Sequence, residues 1–219
     1  MNLNAEDVAR YLREHPEFFE QHAEMLAEIH LPHPHGGRAI SLAERQQLAL
    51  REKNKLLESK LRQLIQFGEE NDTIGEKLHR LTLALFRARG LDGVLDAAYY
   101  HLREDFGVPH VGMRLWMGEP EKPRPEFSGV GIDLCAFADE LPHPKCGSEA
   151  VGGIPGWFGE DGPRLRSFAF IPLRAEQAFG LLVLASEDPQ RFYPEMGTLY
   201  LKHLGELVSA ALLRYLAEV

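Results

Sequence analysis

At 219 residues, 44% hydrophobic and 26% charged, the chain is an ordinary globular one with material for one or two domains and a real core. Its net charge of −9 lacks the basic footprint of general nucleic-acid binding, so nucleic acid is not expected as a partner. Two cysteines, Cys135 and Cys146, exclude a disulfide scaffold and fit a reducing compartment.

The first residues have neither the basic flank nor the apolar run of a signal peptide. The longest strongly apolar run, Phe179 to Ala185, is too short to cross a bilayer. No membrane association is expected, and the expected compartment is the cytoplasm.

Asn4 with Asp7 three residues on reads as a capped helix start, followed by the stripe Val8, Tyr11 and Leu12. His15-Pro16 breaks and restarts the helix, and Phe18, Phe19, His22, Met25, Leu26 and Ile29 follow at helical spacing. Helices this short and apolar are expected to pack on each other and on a third element, as a helical hairpin cap over residues 1–37. Leu31 to Gly37 is its extended, proline- and glycine-rich linker. His33 and His35 within it supply two ligands at most, with no carboxylate or cysteine near in sequence, so no metal site is expected.

Ser41 with Glu44 is a capping box that starts a long helix. Ala43, Leu50, Leu57 and Leu64 fall seven apart, a register that resumes at Leu78 and Leu85. With these at d, Gln47, Asn54 and Leu61 fall at a, and leucine at d with asparagine at a favours a parallel two-stranded coiled coil. Lys53 at g and Glu58 at e have the spacing at which charges of two parallel helices meet. Leu50, Asn54, Leu57, Leu61 and Leu64 are therefore the expected dimer residues, and the chain's own second copy is the expected partner. The competing reading, one amphipathic helix lying on its own domain, draws on Leu48 and Leu56, which lie off the seam. Residues 38–62 carry seven basic and three acidic side chains, read as a solvated helix face. Gly68 and Gly75 interrupt the heptads, and each costs about 1 kcal/mol inside a helix, so loosening or bending is expected there.

Leu78, Leu81, Leu85 and Phe86 continue an apolar face to Arg89-Gly90, and a second helix runs from about Leu91 to Phe106. From Val108 the period becomes two. Val111, Met113, Leu115 and Met117 face a core, while Arg114 and Trp116 fall on the other face, as on a pocket floor. A proline-rich loop covers Glu119 to Pro125, Asp133 to Leu141 reads as a short helix, and Pro142 to Phe158 reads as a glycine-rich loop. Arg166 to Leu173 and Phe179 to Ser186 form an antiparallel hairpin, with Pro172 marking an edge or a bulge. A last helix spans about Pro194 to Ala217, anchored at its start by Arg191, Phe192, Glu195 and Met196. The expected fold class is α+β: an antiparallel sheet with helices on one face and a loop-roofed pocket on the other.

Ser167-Phe-Ala-Phe-Ile-Pro-Leu, a polar turn, Gly180-Leu-Leu-Val-Leu-Ala-Ser and a long amphipathic helix resemble the C-terminal half of a GAF domain. The run Ser186-Glu-Asp-Pro-Gln-Arg-Phe-Tyr-Pro-Glu-Met-Gly-Thr, with Leu204-Gly-Glu, resembles one bacterial family. So do His15-Pro-Glu-Phe-Phe, Leu31-Pro-His-Pro-His-Gly, Ser41-Leu-Ala-Glu-Arg-Gln and Pro144-Lys-Cys-Gly. It is the family known only as domain of unknown function number four hundred and eighty-four, placed among GAF-like proteins. The resemblance spans essentially the whole chain. It implies a GAF-like domain at 76–219 after the cap (1–37) and a connecting helix (38–75), with dimerisation through that helix. GAF domains as a class bind small molecules or simply dimerise, so the resemblance names no activity and no cofactor. The motif of cyclic-nucleotide-binding members is missing, and the residues flanking Cys146 do not match a bilin-attachment site.

Catalytic templates fail: no Gly-x-Ser-x-Gly, phosphate-binding loop, His-Glu-x-x-His or Cys-x-x-Cys is present. No enzyme and no catalytic residue are expected. His143 and Cys146, three apart, fall short of the four ligands of structural zinc. The candidate ligand-binding residues are Arg114, Trp116, Cys146, Trp157 and Phe158, with the arginine selecting an anion and the aromatics stacking on a planar group. The expected function is a sensor or regulatory protein in which a small anionic or planar ligand acts on a dimeric helix, with a protein partner the sequence does not identify. The alternative is a structural adaptor whose pocket is vestigial.

Overall fold

The computed structural model describes residues 4–23, 25, 30–31, 40–118, 120 and 122–216. His33 and His35, most of the linker, Leu26, Ile29, Glu119 and the side chains of Ser41 and Glu44 lie outside the described residues. The chain divides into two compact units, Met1–Glu69 and Glu70–Val219.

In the first unit, α1 (Ala5–Glu14) starts as its sequence dictates, with the Asp7 amide donating to Asn4 Oδ1 at 2.7 Å. His15-Pro16 ends it, and the short α2 (Glu17–Gln21) follows. The two touch through rings, Tyr11 lying edge-on to Phe18 at 6.4 Å. Neither helix buries a residue, so the third element expected to cover them is not among the described contacts. The ends of the linker pair antiparallel as β1 (His30–Leu31) and β2 (Ile40–Ser41), a ribbon the sequence reading did not anticipate.

Helix α3 (Leu42–Arg87) starts directly after Ser41 and runs through both Gly68 and Gly75 without a break. The glycines expected to loosen or bend the helix therefore do not end it. Their summed cost of about 2 kcal/mol falls on a helix whose last turns are packed: Leu81 and Leu85 are buried in a core that takes in Leu95 and Leu102 of α4 (Gly90–Glu104).

In the second unit, β3 (His110–Leu115), β4 (Lys145–Gly147), β5 (Ser167–Arg174) and β6 (Ala178–Ser186) form one antiparallel sheet in the order β3-β6-β5-β4. The fold is α+β, as expected. Between β3 and β4 lie a 3-10 turn (Pro125–Phe127) and α5 (Ile132–Glu140). A 3-10 segment (Ile154–Arg164), kinked at Gly159, leads into β5. Helix α6 (Leu199–Leu216) closes the chain and begins five residues later than the sequence suggested.

The sheet is buried on both faces, which is why Phe179 to Ala185 reads as an unbroken apolar run. Val111, Met113, Ala169 and Ile171 face α3, α4 and α6. Phe168, Phe170, Leu181 and Val183 face α5 and the 3-10 segment. The bare Gly205 lets α6 approach β5, since a Cβ there would stand 2.7 Å from Ile171 Cγ2. Pro172 sits on an interior strand, yet β4 covers only Phe168 to Phe170 of β5, so Pro172 pairs with Leu181 alone and is locally at an edge. A register shift follows at Leu173/Arg174.

Candidate functional site

The loop-roofed face of the sheet carries a cavity of about 500 Å³. Arg114 of β3 and Trp157 of the 3-10 segment form one wall. The opposite side comes from Ser128, the first turn of α5 at Asp133 and Leu134, and Val151 to Ile154. Small residues shape the rim: Gly129, Gly131, Gly152, Gly153 and Gly156 bring backbone, rather than side chains, to the opening. Helix α5 is pinned over the sheet by Arg174, whose Nη1 donates to the carbonyls of Ala138 (3.1 Å) and Leu141 (3.0 Å). Asp139 Oδ1 completes the tie by accepting the Ala178 amide at 3.0 Å.

Arg114 is half-buried, and its guanidinium lies 4.5 Å from the Trp157 ring centroid. Nη1 donates to the Met113 carbonyl at 2.8 Å, while Nε is buried without a hydrogen-bond partner. Burial pushes the guanidinium below its ordinary pKa, opposed by the neighbouring Tyr99 and Glu126. Glu126, in the 3-10 turn that follows the proline-rich loop, is only 4% exposed, and its Oε2 also lacks a partner. Burial, and then the Glu126 carboxylate beside it, push the Tyr99 hydroxyl of α4 well above the ordinary phenol range. Arg124, two residues from Glu126, grips the same helix by ion pairs to Asp92 (2.6 Å) and Asp96 (3.4 Å). A strap of loop thus runs round the sheet edge, touching the cavity wall at one end and α4 at the other.

The five candidate side chains are not all gathered here. Arg114 and Trp157 meet at the cavity. Trp116 lies beside a second, shallower depression, with its indole N–H donating to the Ala178 carbonyl at 2.8 Å. Phe158 packs as core against the sheet, edge-on to His110, in the space that Gly112 leaves. Cys146 is turned the other way: it pairs with Ala169, so alternation along the strand sends its side chain into the helix-side core. It is 5% exposed, and burial pushes its thiol up to about 11. Cys146 is therefore not a cavity residue. Sequence reasoning missed Glu126 and Asp133, because an acid in a polar loop or a first helical turn reads as solvated.

The chain matches the family described as "Protein of unknown function, DUF484" over residues 1–217. It belongs to that family. An uncharacterized protein, YigA, of Salmonella typhimurium is 25% identical over 228 residues, covering 99% of this chain and 94% of its own. Its namesake in Escherichia coli K12 is 24% identical with the same coverage. Among solved structures, the GAF domain of the potassium sensor histidine kinase KdpD from Escherichia coli is similar over 64% of this chain and 93% of its own, with a TM-score of 0.43 and 16% identity. A likeness this distant says nothing about a ligand. Among the described residues, no helix is long and apolar enough to cross a membrane.

Proposed function

We propose that this DUF484 member is a non-catalytic, cytoplasmic sensor whose GAF-like domain binds a small planar anion and acts through pairing of helix α3 with that of a second copy. The observation that carries this reading is the Arg114 guanidinium in the cavity wall, 4.5 Å over the Trp157 ring centroid. A guanidinium resting over an indole is already ordered, so a carboxylate or phosphate gains its hydrogen bonds at a smaller entropic cost. The strap through Glu126 gives the site a route to α4.

Pairing of α3 is supported by its exposed stripe: Leu50, Leu57, Leu61 and Leu64 are 67, 54, 58 and 66% exposed. Apolar side chains repeating at heptad spacing call for a partner. The absence of catalysis is supported by Cys146, whose raised thiol pKa leaves it protonated and inert near neutrality.

The adaptor reading draws on the bond from Arg114 Nη1 to the Met113 carbonyl, which partly satisfies the guanidinium without a ligand. A thermal-shift panel of aromatic and heteroaromatic carboxylates and phosphates separates the two. The sensor reading expects at least one compound to stabilise the wild type and not Arg114→Ala. Equal shifts in both proteins, or none in either, favour the adaptor.

A further inference from the structure

The face of the sheet away from the Arg114 cavity holds another, half-open hollow, of about 310 Å³, where α3, α4, α6 and the segment before α6 converge. Its walls are apolar. Phe106 and Val108 follow α4, Leu184 comes from β6, and Met196 and Leu201 come from the approach to α6 and its first turn. Bare Gly197 stands at the rim, with no atom within 4 Å of where a Cβ would be.

Among the described lining residues only two side chains carry charge, and both are cations. Lys77 of α3 is half-buried, its Nζ 5.9 Å from the Phe106 ring centroid. Arg191 is half-buried as well, donating from Nη2 to the Phe106 carbonyl at 3.0 Å and lying 5.8 Å from the Phe192 ring. Among the described residues, neither is paired with a carboxylate within salt-bridge distance. Asp105, whose carboxylate feels Lys77 only weakly, is already engaged by Arg80 at 3.5 Å and by His101.

Two long cationic side chains drawn over an apolar hollow, with no anion to meet them, are arranged for an amphiphile of opposite charge. A charged group held half out of water forms stronger pairs than one in bulk solvent. An apolar hollow with a few placed polar groups is the usual form of a small-molecule site.

We propose that this hollow binds the carboxylate of a small aliphatic acid, its head between Lys77 and Arg191 and its tail against Phe106, Val108 and Met196. The volume sets the size. At about 30 Å³ per water-sized unit, it holds on the order of ten non-hydrogen atoms, which octanoate matches and a two-chain lipid far exceeds. The site is independent of the Arg114 cavity, being built on the other sheet face from other residues. Its lining includes Ile74 and Lys77 of α3, so its occupancy is read directly by the long helix.

Octanoate itself is the probe, and the full chain with methyl-labelled methionine is the sample. The Met196 methyl signal is expected to shift saturably with octanoate, while that of Met113, fully buried in the core, stays in place. Octanol, with the same tail and no charge, is expected to bind at least tenfold more weakly. Lys77→Gln is expected to weaken octanoate at least fivefold and leave octanol unchanged. Arg114→Ala, on the other face, is expected to change neither.

The proposal is overturned if Met196 does not respond at millimolar octanoate, or if octanol binds as well as octanoate. It is also overturned if loss of Lys77 has no effect, or if the response disappears with Arg114. Binding seen only when the protein is diluted to a monomer would assign the hollow to a second copy and overturn it equally.

Discussion

Replacing Leu57 by alanine is the sharpest perturbation of the proposed pairing, because its neighbour Leu56 provides an internal control. The two are almost equally exposed on the single helix, 54% and 56%, yet only Leu57 lies on the heptad seam. Burying a whole leucine is worth about 1.5–3 kcal/mol, so covering the exposed half in a dimer contributes about 0.8–1.6 kcal/mol per chain. Two chains lose it together, which makes about 2–3 kcal/mol per dimer. At 1.4 kcal/mol per tenfold, Leu57→Ala raises the dimer dissociation constant roughly 30- to 150-fold. Leu56→Ala is expected to change it less than threefold, roughly 0.6 kcal/mol. Sedimentation equilibrium across nanomolar to micromolar concentrations measures both, with circular dichroism confirming that each variant keeps its helix. Equal effects at the two positions, or none at either, would refute the seam.

Gly205→Ala is expected to cost about 1–3 kcal/mol, because its Cβ would meet the buried, β-branched Ile171 at 2.7 Å and push α6 off the sheet; denaturant unfolding measures this, and an unchanged midpoint contradicts the packing. In native protein at pH 8, a disulfide-exchange reagent is expected to label partly exposed Cys135 slowly and buried Cys146 only after unfolding, since burial raises both thiols; fast labelling of Cys146 contradicts its placement. Asp105 is held below the usual carboxylate range by its hydrogen bond to His101, then by Arg80. Its stabilising contribution is present above the unfolded pKa of about 3.9 and is lost as pH falls from there through the lower folded value. Asp105→Asn is therefore expected to lose less stability than the wild type between pH 5 and 2, and parallel acid limbs would count against the pair.

What local chemistry decides was legible in the chain. The Asn4 cap is a matter of one side chain and an amide three residues on, and it forms as read. The β5–β6 hairpin announced itself by two apolar runs around a polar turn, and the sidedness of β3 by alternation at Val111, Met113 and Leu115. What depends on distant partners was not legible. The strand Lys145–Gly147 is three residues long, too short for a pattern, and only its register against β5 decides that Cys146 enters the core. Arg114 and Trp157 were both selected as pocket residues, but that they meet depends on a 3-10 segment read as loop. Glu126 looks like a surface acid until the loop folds over the sheet edge and buries it between Arg114 and Tyr99. The glycines of α3 read as weak points by their own propensity, yet the helix continues through both.

The central claim, that the Arg114 cavity holds a ligand in a protein paired through α3, is tested most directly by native mass spectrometry on protein purified gently from its own host. A dimer carrying a defined extra mass is expected for the wild type, and a dimer without that mass for Arg114→Ala. A bare wild-type dimer would contradict the sensor and leave the adaptor. A monomer would contradict the pairing itself.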